Sequence, residues 1–197
     1  MADASRELLI LGVLRRSPLS AYDVDRAVHG HAPLYRSLKY GNVYYALKQL
    51  ALARFVTRRE ASARRGPAAT KAVYRLSALG EKRFRTLLRE TLLDVQADDT
   101  ALEVAFVLLG QFSRDQALEL ISARRDALAQ HERRLKRLLG DMSARSGAAY
   151  IGESHAFSRT RAENAFLGAS IALLRDPKWS PGWRSDDGPV DDPKRVL

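Results

Sequence analysis

Apolar residues crowd the first helix-length stretch of the chain. Leu8, Leu9, Ile10, Leu11, Val13 and Leu14 leave almost no polar face, which predicts a helix at the centre of its domain, capped by Ser5 and running through Arg16. Ser17-Pro18 ends it. Ser20-Ala21-Tyr22-Asp23 has capping-box spacing and opens a second helix to about Val28, with Gly30 as its stop. From Tyr40 to Leu52 the apolar positions 43, 46, 47, 50 and 51 make one helical stripe, and Asn42, Tyr45, Lys48 and Gln49 fall on the opposite side. Two strand-like runs follow, Phe55 to Arg59 and Ala72 to Leu76, with Arg64-Arg65-Gly66-Pro67 between them.

The remainder is helical. Ser77 caps a helix whose Phe84, Leu87, Leu88, Leu92 and Val95 share a face; Gly80, at its third position, rules out a full capping box. Thr100-Ala101-Leu102-Glu103 opens a short helix that stops at Gly110. Ser113-Arg114-Asp115-Gln116 opens a longer one that Gly140 ends, about 40 Å at about 1.5 Å per residue. Ile121, Leu128 and Leu135 recur along it at the heptad spacing of a helix packed lengthwise on another, from the same chain or a second copy. A last helix, Ala149 to Leu174, carries Phe157, Phe166, Leu167, Ile171 and Leu174.

The expected fold is mainly α with a small β-hairpin: an N-terminal winged helix-turn-helix over 1–95 and a C-terminal helical dimerisation domain over 96–175. A tail over 176–197, rich in Pro, Gly, Ser and Asp, is expected to be disordered, pinned at Trp179 or Trp183. Charge sharpens that division. The chain of 197 residues has a formal charge of +10, yet residues 1–93 hold 18 Lys and Arg against 7 Asp and Glu, leaving 15 against 16 for the rest. A basic surplus confined to the half with the polar-faced helix and hairpin points to nucleic acid. The absence of cysteine excludes disulfides and thiolate zinc sites. No segment approaches the length of a membrane span, so the expectation is a soluble cytoplasmic protein with no membrane partner.

A helix with polar and aromatic groups on its outer face can read a groove, while a cationic hairpin grips phosphates. The candidate DNA-binding residues are therefore Tyr40, Asn42, Tyr45 and Lys48 on the reading helix, and Arg58, Arg59, Arg64, Arg65 and Lys71 on the hairpin. Tyr22 and Lys39, at helix starts, are candidate backbone contacts. Tyr44 lies nearer the apolar stripe and is assigned to the core. His29-Gly30-His31 is read as a loop without metal, His131 as a packed residue, and no cofactor is expected. No Gly-rich phosphate loop, nucleophile elbow or metal-spaced His and carboxylate set is present, so an enzyme is not expected. The alternative is a winged-helix module for RNA or a protein partner, without sequence-specific DNA recognition.

Leu8-Leu9-Ile10-Leu11-Gly12-Val13-Leu14, Ser17-Pro18-Leu19-Ser20-Ala21-Tyr22-Asp23, Tyr40-Gly41-Asn42-Val43-Tyr44-Tyr45-Ala46-Leu47, Leu50 to Val56, and Val73-Tyr74-Arg75-Leu76-Ser77 with Gly80 resemble, in this order, the PadR family of transcriptional regulators. The resemblance covers residues 8 to 90. It departs where Ala21 stands for the family's glycine, Asn42 for its threonine or serine and Tyr45 for its proline, so no operator sequence carries over. What the resemblance implies is a winged-helix homodimer on double-stranded DNA, with a helical C-terminal dimerisation domain. Such proteins repress a neighbouring operon and are often released by a small-molecule effector, whose binding residues remain unassigned. The operator would be pseudo-palindromic.

Overall fold

The computed structural model describes residues 2–30, 43–60, 72–142 and 147–179. They form α1 (Ala2–Arg16), β1 (Leu19–Ser20), α2 (Ala21–Gly30), α3 (Val43–Leu52), β2 (Val56–Glu60), β3 (Ala72–Leu76), α4 (Ala78–Leu93), α5 (Asp99–Leu108), a 3₁₀ turn (Leu109–Gln111), α6 (Arg114–Met142) and α7 (Gly147–Arg175). The protein is mainly helical with a small antiparallel sheet. Its order is β1-β3-β2, and the short β1 adds a third strand to the expected hairpin. The described residues fall into two compact units. One holds the residues up to Thr91 together with Ala97–Leu109; the other holds Leu92–Gln96 and the residues from Gly110 onward.

In the first unit α1 is central, as its all-round apolar sequence requires. Leu8, Ile10 and Leu11 are wholly buried, and α2, α5 and β3 pack against the helix. Gly12 makes that packing possible: a β-carbon there would meet Leu108 of α5 at 2.5 Å and Phe84 of α4 at 3.3 Å. Ion pairs tie α1 to α4, Arg15 with Glu81 at 3.0 Å and Arg83 with Glu7 at 2.9 Å. The hydrogen bonds that Arg83 donates to Glu7 hold its guanidinium pKa above its ordinary value, against the opposing pull of partial burial. Ser5 is not a cap. The helix begins at Ala2, and Ser5 is buried inside it.

Local capping mostly follows the expected chemistry. Ser20 Oγ accepts from the Asp23 N–H at 3.2 Å, the cap that starts α2, and donates to Asp23 Oδ2 at 2.5 Å, a side-chain bond in place of the second half of a capping box. Ser77 Oγ accepts from the Gly80 N–H at 2.9 Å and starts α4. Ser113 and Gln116 exchange the two bonds of a full capping box, each at 3.3 Å, at the head of α6. For α5 the cap is Asp98, whose carboxylate accepts from the Ala101 N–H at 2.8 Å, and Thr100 lies inside the helix. The composition shift at 96–99 thus marks a helix start. The helix that follows, α5, packs on α1 within the first unit.

In the second unit α6 and α7 form an antiparallel pair. Arg125 packs on Gly168, and two turns further along α6 Glu132 approaches Arg161 and accepts from Asn164. The heptad residues Ile121, Leu128 and Leu135 are buried, as are Leu167, Ile171 and Leu174 on α7. Helix α6 runs through Gly140 to Met142 because that glycine keeps helical geometry in open surroundings. Arg124 is wholly buried beside α7. Its Nε donates to Glu163 Oε1 at 2.5 Å, and its Nη1 donates to the carbonyls of Leu92 at 2.8 Å and Asp94 at 3.1 Å. Beyond α7, Arg114 Nη2 donates to the Trp179 carbonyl. Trp183 lies outside the described residues.

Candidate nucleic-acid interface

Helix α3 buries Val43, Leu47 and Leu50, a narrow stripe at i, i+4 and i+7. Everything more than about a third of a turn away from that stripe is turned outward. Tyr45 is 60 % exposed, and Lys48 and Gln49 are exposed beside it. Tyr44 is exposed too, at 52 %, which corrects its assignment to the core. The stripe is narrower than five apolar positions suggested: Ala46 and Ala51 are only half-buried, and Tyr44 beside them is exposed. Tyr22, in the first turn of α2, is likewise exposed. Lys39, Tyr40 and Asn42 lie outside the described residues, as do Arg64, Arg65 and Lys71 between the strands.

The strands β2 and β3 pair from Val56↔Leu76 to Glu60↔Ala72. Side chains alternate across a sheet, and directly paired residues share a face. Val56 and Arg58 therefore lie on one face with Tyr74 and Leu76, while Thr57 and Arg59 lie on the other with Val73 and Arg75. At the root of the hairpin Val56 is buried; from Thr57 outward the whole of β2 is exposed. Arg58 and Arg59, adjacent in sequence, consequently point to opposite faces. Arg59 pairs with Val73, and Arg75, the partner of Thr57, lies on the same face two positions along β3, an exposed cation that sequence reasoning did not select. Period-two alternation through Val73-Tyr74-Arg75-Leu76 carried the signal.

These cations differ from Arg15, Arg83 and Arg85 of the same unit in the state of their charge. Arg15, Arg83 and Arg85, on α1 and α4, are neutralised by Glu81 and Glu7. Lys48 on α3, Arg58 and Arg59 on β2, Arg75 on β3 and Arg54 between α3 and β2 are exposed, and among the described residues none of them is drawn into an ion pair. An exposed polar-aromatic helix face beside a two-faced strand pair with uncompensated cations is a surface able to take up a polyanion. Among the described residues no His, Cys, Asp and Glu side chains group so as to hold a metal ion. Nor is any helix there long and apolar enough to cross a membrane.

No family model and no curated protein matches the chain. Several solved structures are similar to it. PadR of Bacillus subtilis in complex with operator DNA is 22% identical, with a TM-score of 0.37 over 85% of this chain and 98% of that one. The same protein in complex with p-coumaric acid is 21% identical, with a TM-score of 0.36 over 87% and 99%. The smu.1604c protein of Streptococcus mutans UA159 is 17% identical, with a TM-score of 0.40 over 84% and 98%. The likeness is distant, and what this chain does rests on its own geometry.

Proposed function

We propose that this chain is a cytoplasmic DNA-binding transcriptional regulator, a repressor acting as a homodimer on a pseudo-palindromic operator. The observation that carries the proposal is the outward face of α3, with Tyr45 and Lys48 exposed, flanked by wing cations that have no carboxylate partner among the described residues. Tyrosine and lysine are suited to base edges and phosphates, and arginine matches phosphate oxygens two at a time. Tyr22, Lys39, Tyr40, Asn42, Arg58, Arg59, Arg64, Arg65 and Lys71 complete the proposed contact set, with Arg75 added from the strand register.

The homodimer is supported by the outer side of α7. Ile151, Ala162, Phe166, Ala169 and Leu173 follow one another at helical spacing and are all exposed, away from the residues that α7 buries against α6. A second copy of the chain would cover this stripe. Two α3 helices would then enter successive major grooves about 34 Å apart. Release by a small-molecule effector belongs to the same reading, with no residue assigned to it.

The test is fluorescence anisotropy with the duplex upstream of the chain's own gene against a scrambled duplex, at two salt concentrations. Tight, selective binding that persists at the higher salt supports the regulator. Weak binding, equal on both duplexes and lost with salt, removes it in favour of an RNA- or protein-binding module.

A further inference from the structure

Helix α3 ends in a tight left-handed turn. The Phe55 N–H bonds back to the Leu50 carbonyl at 2.9 Å, and the Arg54 N–H to the Ala51 carbonyl at 3.1 Å. This pair of bonds is the Schellman arrangement, and it places the residue after the helix in the left-handed region. Glycine is the usual occupant because a β-carbon is strained there. Here the occupant is Arg54, at φ 62, the single non-glycine residue with positive φ among those described.

Nothing within the described fold uses its side chain. Arg54 is exposed, and its guanidinium has no hydrogen bond, ion pair or ring contact among the described residues. Its carbonyl accepts from Ser77 Oγ at 2.7 Å, a bond that any residue, glycine included, would supply. The strain therefore brings no compensating contact among the described residues. A strained residue that the fold does not need is a candidate for function. Its position adds the chemistry: it joins the helix that carries Lys48 to the strand that carries Arg58 and Arg59.

We infer that Arg54 is a further DNA contact, a guanidinium that grips a backbone phosphate beside the groove entered by α3. This inference rests on the DNA-binding reading above. It makes the α3–β2 turn part of the interface, and it explains why a stabilising glycine does not occupy the turn. A planar fork held at a fixed turn is suited to two phosphate oxygens in a way that a lysine is not.

The full-length wild type, Arg54→Gly and Arg54→Lys would be compared by thermal melting and by anisotropy on the upstream and scrambled duplexes over a salt series. Arg54→Gly is expected to melt about 3 °C higher, because the turn relaxes. It should bind the upstream duplex about tenfold more weakly, with the salt slope reduced by about one per chain. Arg54→Lys should restore the slope and only part of the affinity. Unchanged affinity and slope in Arg54→Gly would overturn the inference while leaving the DNA-binding reading intact. A lower melting temperature would also overturn it, by giving the side chain a packing role. A wild type that does not prefer the upstream duplex would remove the DNA-binding reading, and the inference with it.

Discussion

A β-carbon on Gly80 would stand 2.0 Å from the carbonyl oxygen of Phe55. The first turn of α4 thus lies directly against the chain as it leaves α3, and Ser77 Oγ, 2.9 Å from the same oxygen, donates there. Backbone on both sides leaves little room to yield. Gly80→Ala is expected to lower stability by at least about 2 kcal/mol in urea denaturation. Gly140→Ala is the control: nothing approaches within 4 Å of its β-carbon position inside α6, and the change should stabilise by about 0.5–1 kcal/mol. Equal effects at the two sites would refute the close approach.

The buried Arg124 makes the second unit sensitive to single changes. Glu163→Ala would leave a wholly buried guanidinium without its carboxylate, at an expected cost of about 3–5 kcal/mol. Replacing both partners with methionine removes the charge and keeps the volume, so Arg124→Met with Glu163→Met should recover most of that loss. The carbonyls of Leu92 and Asp94 would still lose their donor, which keeps the double variant below the wild type. Chemical denaturation of the two singles and the double gives the coupling; strict additivity would contradict the pairing.

Much of this fold was legible because it is local. Ser20 with Asp23 and Ser113 with Gln116 are caps closed within four residues, and Ile121, Leu128 and Leu135 declare their buried face by spacing alone. Where packing between distant segments decides, the sequence pattern misleads. Ser5 is hydroxylic and early, as a cap should be, yet its helix extends past it. Gly80 reads as a failed capping box, but it is glycine because Phe55 lies against it. The candidate interface divides in the same way. Lys48 is outward because Leu47 and Leu50 are inward, a local fact, whereas the placing of Arg59 and Arg75 on one face needs the strand register. The left-handed turn at Arg54 was invisible, since no neighbouring residue type demands it.

That register separates the wing cations experimentally. Arg59 and Arg75 share a face, so on the DNA-binding reading they address the same stretch of backbone, and Arg58 addresses another. Arg59→Ala with Arg75→Ala should reduce the salt slope of operator binding by about two per chain if both meet phosphate, with little change in base preference. Arg58→Ala should act additively with that pair. Salt titrations on one selected duplex check both statements. An Arg75→Ala protein that binds like the wild type would confine the wing contacts to β2 and the residues beyond it.

The exposed stripe on α7 makes an equally direct demand. Phe166 is 56 % exposed and Ile151 70 %, so neither contributes much to the burial that holds α7 on α6. Phe166→Glu should therefore leave helix content and melting of a dilute sample nearly unchanged. A carboxylate in an apolar interface is costly, however, and the same change should shift the protein from dimer to monomer in sedimentation at micromolar concentration. A repressor that needs two reading helices would then lose most of its operator affinity, since each half-site contributes to one binding event. Thr160→Glu, on the buried side of the same helix, should instead unfold the α6–α7 pair. If Phe166→Glu remains dimeric, another surface holds the two copies together. If it becomes monomeric yet binds the operator at full strength, the two-groove arrangement is wrong although the dimer is right.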